Sequence, residues 1–260
     1  MTMNYTYDKL NIVYEDNHLL VVVKPQGVPS QEDKSGDADM LTLLKQYLKE
    51  KYNKPGNVYL GLVHRLDRPT GGVMVFAKTD KAASRLSDSI KCDEFEKKYL
   101  TVVVGEPKEK NGRLEDYLYK YENLNIVKVV PAATQGAKRS VLAYNTLATK
   151  TVSYGPTEGE GESATQKSAK FSLLKVQLET GRSHQIRVQL ANIGTPLVGD
   201  AKYGVMKSKN ATPLALWAYE LKFPHPVTKD LMMFRVYPDV TTPPWSWFDV
   251  DGILKVTIRD

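Results

Sequence analysis

One short stretch puts a carboxylate among cations: His64-Arg65-Leu66-Asp67-Arg68. Asp67 stands between Arg65 and Arg68, and Pro69, Gly71 and Gly72 close the turn behind it. Proline fixes one backbone angle and glycine tolerates tight bends, so such a turn can hold an aspartate in one geometry. A carboxylate held that way can attack an electrophilic carbon or stabilise positive charge. An aspartate ahead of a Pro-Gly turn is also a common turn former. This stretch alone leaves both readings open.

The elements around it must do the positioning. Val73 to Ala77 is an apolar run that reads as a buried strand leaving the turn. Val58 to Val63 reads as a strand entering it. Upstream, Asn11 to Val23 reads as two strands around an Asp16-Asn17 turn, broken by Lys24-Pro25-Gln26-Gly27. Asp39 to Tyr52 reads as a helix with Leu41, Leu44 and Leu48 on one face, capped by Asp37 or Asp39. A second helix runs from Thr79 or Asp80 to Lys91, with Ala82, Ala83, Leu86 and Ile90 inward.

Further on, Lys97 to Gly105 reads as a strand with Tyr99 near its start, where a core tyrosine is the ordinary reading. Gly112 to Tyr121 and Asn125 to Val130 read as a strand pair. Val141 to Ala148 and Phe171 to Leu178 flank a Gly/Glu/Ser-rich stretch, 150 to 170, that reads as a mobile hairpin loop. Gly181-Arg182-Ser183-His184-Gln185-Ile186-Arg187 runs into a helix with Ile186, Leu190 and Ile193 on one face, stopped by Gly194. Leu214 to Phe223 and Leu231 to Val236 read as strands, and Ile253 to Ile258 as a last strand behind Trp245, Trp247 and Phe248.

Composition bounds the function. A net charge of +6 suits a polyanionic partner. The single cysteine, Cys92, excludes an internal disulfide and a cysteine-based zinc cluster, and it fits a reducing cytoplasm. The four histidines lack metal-ligand spacing, so no metal is expected. No run of apolar residues is long enough to span a membrane, and the first ten residues show no signal-peptide pattern.

Four segments taken together resemble the RluA-type RNA pseudouridine synthases. His64 to Gly72 is similar to their H-R-L-D-x-x-T-S-G motif, with Gly71 at the serine. Lys97-Lys98-Tyr99-Leu100 is similar to their tyrosine motif, 32 residues after Asp67. Gly181 to Arg187 is similar to G-R-x-H-Q-I-R, and Gly194 to Gly204 to G-x-P-x-x-G-D-x-x-Y-G. The Lys24-Pro25-Gln26-Gly27 segment resembles the one that opens the family's catalytic domain. Gln189 and Trp217 stand where many relatives carry histidine. The resemblance covers residues 19 to 238 and leaves no room for a separate N-terminal RNA-binding domain. It implies one catalytic domain over 1–260, of α+β class, built on a bent, mostly antiparallel mixed sheet with flanking helices.

The implied activity is isomerisation of uridine to pseudouridine in structured RNA, ribosomal or transfer. That reaction detaches uracil from the ribose nitrogen bond and reattaches it through carbon. Both halves stay bound, so no cofactor is needed. The resemblance makes Asp67 the catalytic carboxylate, with Tyr99 lining the pocket against the base. Arg187 pairs with Asp67, where a close guanidinium opposes the effect of burial by about 1–3 pKa units. It assigns His64, Arg65, Arg68, Arg182, His184 and Gln185 to substrate binding. Arg65 either fills the space left by the extruded uridine or pairs with a phosphate. A monomer is expected. The competing readings are a non-catalytic RNA-binding protein of the same fold and a hydrolase using Asp67. The first would be favoured by loss of Asp67, Tyr99 or Arg187; the second lacks a motif for a water-activating base or metal.

Overall fold

The structure, a computed structural model, describes residues 5–154, 167–204 and 212–257. In chain order the first strands are β1 (Asn11–Glu15), β2 (Leu19–Lys24), β3 (Gly61–Leu62), β4 (Gly71–Ala77), β5 (Glu96–Val104) and β6 (Asn111–Tyr121). They are followed by β7 (Ile126–Val130), β8 (Lys138–Tyr154), β9 (Lys167–Leu178), β10 (Leu216–Pro224) and β11 (Leu231–Arg235). The helices are α1 (Met40–Lys51), α2 (Asp80–Lys91), α3 (Gln185–Asn192) and α4 (Val250–Thr257). This is the expected α+β mixture. The chain divides into two compact units: Met1–Tyr99 with Trp217–Pro238, and Leu100–Leu216 with Asp239–Asp260.

In the first unit β4 is the central element. All seven of its residues are buried. It pairs antiparallel with β2 on one side and parallel with β10 on the other, through Trp217↔Gly71 and Ala218↔Gly72. A strand buried on both faces reads as a continuous apolar run, as this one does. Leu19, Val21, Val73, Val75 and Ala77 pack with Ala82 and Leu86 of α2 and with Phe95, Leu221 and Phe223. Each of the larger of these side chains contributes about 1.5–3 kcal/mol on burial. The strand that leaves the Asp67 turn is thus anchored in the core. α1 starts where its cap predicts: the Asp39 carboxylate accepts from the Thr42 N–H at 3.1 Å. Thr79 caps α2 in the same way through the Ala82 N–H at 3.2 Å. The expected strand at Val58–Val63 shortens to Gly61–Leu62.

In the second unit β8 and β9 form a long antiparallel hairpin, paired from Leu142↔Leu178 to Tyr154↔Lys167. Residues 150–154 and 167–170 of the expected loop are therefore strand, and its middle lies outside the described residues. β6 joins β8 to β7. α3 packs through Val188 on Leu118 and Val127 of these strands. Gly194, at φ +84°, stops α3, and Ile193 is exposed rather than inward. The expected last strand is a helix, α4. Val250, Ile253 and Leu254 recur at helical spacing, Val250 and Leu254 are buried, and the Asp249 carboxylate accepts from the Gly252 N–H at 3.0 Å. Among the described residues no helix is long and apolar enough to cross a membrane, and no histidine, cysteine and carboxylate cluster could hold a metal ion.

Candidate active site

The turn carrying Asp67 is fastened by the segment after β2. The Ser30 hydroxyl donates to the Leu66 carbonyl at 2.8 Å and accepts from the Leu66 N–H at 3.2 Å. Past the aspartate, the Arg68 carbonyl accepts from the Gly27 N–H at 2.9 Å and from Lys24 Nζ at 3.1 Å. The Pro69 carbonyl accepts from Gln26 Nε2 at 2.9 Å. Backbone groups on both sides of Asp67 are thereby satisfied. Its own carbonyl accepts from the Thr70 N–H at 2.9 Å and closes the turn.

The structure brings Tyr99 to Asp67. Tyr99, in β5, is buried. Burial pushes its phenol well above the ordinary tyrosine range, and the negative charge of Asp67 pushes it further the same way. The ring is a protonated phenol at neutral pH.

Two of the three departures from the family pattern, Gly71 and Trp217, meet here. A Cβ at Gly71 would lie 2.6 Å from Cε3 of Trp217 and 2.9 Å from Cγ of Gln26. The indole cannot yield easily, because Trp217 Nε1 donates to the Val236 carbonyl at 2.9 Å. Gly72, at φ +125°, has the same constraint from the Ala218 backbone. Gly71→Ser is therefore expected to destabilise the protein by about 1–3 kcal/mol through overpacking. Adding Trp217→His should recover most of that loss, as read by denaturant melts of the two single variants and the double. Additive losses would show that the indole is not what excludes a side chain at Gly71.

Three of the expected substrate-binding residues, His64, Gln185 and Arg68, bond to other parts of the protein. His64 Nε2 accepts from the Val75 N–H at 3.1 Å, and its ring lies 5.4 Å from that of Phe95. Burial, helped by the charge of Lys97, lowers its pKa to about 3. A neutral imidazole bonded to β4 is not a cation for a phosphate. Gln185 is buried and spends its amide on β8 and on the preceding loop. It donates to the Val141 carbonyl at 3.0 Å and accepts from the Thr180 hydroxyl at 2.9 Å and the Arg182 N–H at 3.0 Å. Arg68 reaches back to the Gly27 carbonyl at 2.9 Å, to Ser35 Oγ at 2.9 Å and to Asp37. Arg65 is exposed and has no hydrogen-bond or ion-pair partner among the described residues. Arg182 is also exposed, with Nε donating to the Arg139 carbonyl at 3.2 Å.

Arg187 has a carboxylate partner that its motif alone does not announce. Its Nε and Nη2 donate to Asp200 Oδ2 and Oδ1 at 2.8 and 2.7 Å, with both side chains buried. Asp200 Oδ1 also accepts from the N–H groups of Lys202 and Tyr203 at 2.9 and 3.1 Å. The guanidinium lies 5.3 Å from the centre of the Tyr203 ring, and the Tyr203 hydroxyl meets His184 Nδ1 at 2.8 Å. His184 takes the left-handed conformation, φ +52°, just before α3. This explains the spacing of the G-D-x-x-Y-G segment: the aspartate grips the arginine and the tyrosine covers it.

Burial pushes the Asp200 carboxyl up, but Arg187 and the two N–H groups outweigh it and hold it below the usual range. Arg187→Met should cost about 3–5 kcal/mol, because it leaves that carboxylate buried and unpaired. A depressed carboxyl contributes stability above its unfolded value, lost as pH falls through the folded one. The variant should thus lose less on acidification than the wild type. Denaturant melts at neutral and acid pH check this; equal losses would show that the pair contributes nothing.

A family model described as RNA pseudouridylate synthase matches residues 18–192. The RNA pseudouridine synthase YhcT of Bacillus subtilis (strain 168) is 30% identical over 227 residues, covering 87% of this chain and 68% of that one. The tRNA pseudouridine synthase C of Vibrio cholerae is 32% identical over 235 residues, covering 87% and 90%. The ribosomal large subunit pseudouridine synthase C of Buchnera aphidicola is 32% identical over 228 residues, covering 84% of this chain and 64% of that one. Among solved structures, human RNA pseudouridylate synthase domain containing 1 superposes with a TM-score of 0.69 at 19% identity, covering 98% and 97% of the two chains, and so shares the fold. With its site motifs in order and this match running through both units, the chain belongs to the RluA-type branch of the RNA pseudouridylate synthase family.

Proposed function

We propose that this RNA pseudouridine synthase modifies a uridine of ribosomal or transfer RNA, with Asp67 as the catalytic carboxylate. The observation that carries the assignment is the turn itself. Backbone groups before and after Asp67 are bonded to one segment, Lys24 to Ser30, and a buried phenol lies within its electrostatic reach. A group that must meet a sugar or base in one geometry needs that fixation. Tyr99 packs on the uracil that is detached and turned. Arg187, paired with Asp200, is the third residue of the catalytic set. Arg65 and Arg182, exposed cations, hold RNA. His184 is bonded to Tyr203 and bears on RNA through the loop that it ends. The two units act as one catalytic domain, working as a monomer in the cytoplasm without metal or cofactor. Target choice between ribosomal and transfer RNA rests on shape and single-stranded loops, which surface contacts read.

Mapping pseudouridines in total RNA from cells with and without the gene tests the proposal. The expected result is one or a few uridines that lose modification and regain it on adding purified protein. Unchanged maps, with no modification of either RNA class by the purified protein, would overturn it.

A further inference from the structure

Strand pairing sorts the side chains of β6 and β7 onto two faces, since directly opposed residues share a face and neighbours along a strand alternate. Leu118 and Val127 lie on one face and pack with Val188 of α3. Tyr117, Tyr119 and Tyr121 share the other face with Lys128, which stands opposite Tyr119, and with Arg139 of β8, opposite Tyr117. None of the three rings is buried, and Tyr121 is 40% exposed. The Tyr119 and Tyr121 rings meet edge to face with 4.9 Å between centres, and Lys128 Nζ lies 5.7 Å from the centre of the Tyr121 ring. The solvated face of an antiparallel sheet is ordinarily polar. A row of three rings there is the kind of surface that marks an interaction site.

The charges around the row select the partner. Arg113, Glu115, Glu179 and Arg139 neutralise one another through ion pairs of 2.6–2.8 Å. Glu122 is paired with Lys120 at 2.6 Å. Lys128 has no carboxylate partner among the described residues and stands over a ring instead. Towards the Tyr117 end, exposed Arg182 rests on the Arg139 carbonyl. The surplus charge along the row is therefore positive. Residues two apart on a strand are about 6.6 Å apart, so successive rings present separate faces. A base stacks on such a ring whatever its sequence, and a cation beside it meets the phosphate. We propose that Tyr117, Tyr119 and Tyr121 form a stacking track for a single-stranded stretch of the substrate RNA, with its phosphates on Lys128 and Arg182. The inference rests on the reading of the chain as a synthase whose RNA is held by Arg182. A duplex keeps its bases stacked inside and cannot use the track.

The test measures binding of the full chain to a short fluorescein-labelled oligouridine and to an RNA duplex of equal length. Wild type should prefer the single strand. Tyr121→Ala, at an exposed ring, is expected to fold and to raise Kd about tenfold, the scale of one lost stack, whereas Tyr121→Phe keeps the ring and should bind like wild type. Lys128→Gln should lower the slope of log Kd against log salt by about 0.7. Irradiating wild type with the same oligomer carrying 5-bromouridine should crosslink residues 117–121, which rings that merely stiffen the hairpin would not give, and this holds even if Tyr121→Ala fails to fold. Equal affinity of wild type and Tyr121→Ala, or crosslinks that all fall outside β6 and β7, would overturn the inference alone. A wild type that modifies RNA yet binds no oligouridine would do the same. Purified protein that modifies neither RNA class would instead remove the reading beneath it.

Discussion

Asp67→Asn is expected to lose pseudouridine formation by about 10⁴-fold or more, the scale seen when a covalent nucleophile is removed. The substitution keeps the shape of the side chain and deletes its charge. The turn should survive, because it is held through backbone groups of Leu66, Arg68 and Pro69 and not through the carboxylate alone. RNA affinity and the denaturant midpoint should stay near those of wild type. Release of label from RNA carrying tritium at uridine carbon 5 measures the loss directly. Activity above a tenth of wild type would move the chemistry to another residue.

Tyr99→Phe is expected to lower turnover by about 10²-fold while RNA binding holds, the scale of a proton-transfer or hydrogen-bonding group. Phenylalanine keeps the packing face and removes only the hydroxyl. The direction of the pKa shift constrains what that hydroxyl does. Burial and the Asp67 charge both keep the proton on the phenol, so Tyr99 cannot start as a base. It can donate a hydrogen bond, or take the proton that the rejoined base must lose while passing its own onward. Tyr99→Ala, which also removes the packing face, should be worse than Tyr99→Phe. Near-normal turnover of the phenylalanine variant would leave Asp67 as the only chemical group and Tyr99 as a packing surface.

Local signals carried much of this architecture. Asp39 and Thr79 stand one residue before helices whose apolar spacing is regular, and both helices begin there. β4 is an unbroken apolar run and is buried throughout. Where two patterns overlapped, local reading failed. Ile253 to Ile258 is β-branched enough for a strand, yet Val250 and Leu254 complete a helical face that only packing reveals. The site was legible as motifs but not as partnerships. Nothing local says that Arg187 grips Asp200, that His64 faces β4 or that Lys24 is buried, because each depends on a group brought near by folding. A lysine before proline at a strand end reads as an exposed charge until the Arg68 carbonyl is seen against it.

The indole lying across Gly71 also constrains history. Let an ancestor carry the family pattern, serine in the turn and histidine on the neighbouring strand. If tryptophan came first, its ring would have met a side chain where only a hydrogen now fits. From such an ancestor the less costly order puts the glycine first, as a loss of a side chain, with the tryptophan then filling the space. Once it had, the way back became costly: reverting the glycine alone brings back the collision, and reverting the tryptophan first avoids it. The two positions form a ratchet, and lineages that carry this tryptophan should be fixed for glycine beside it.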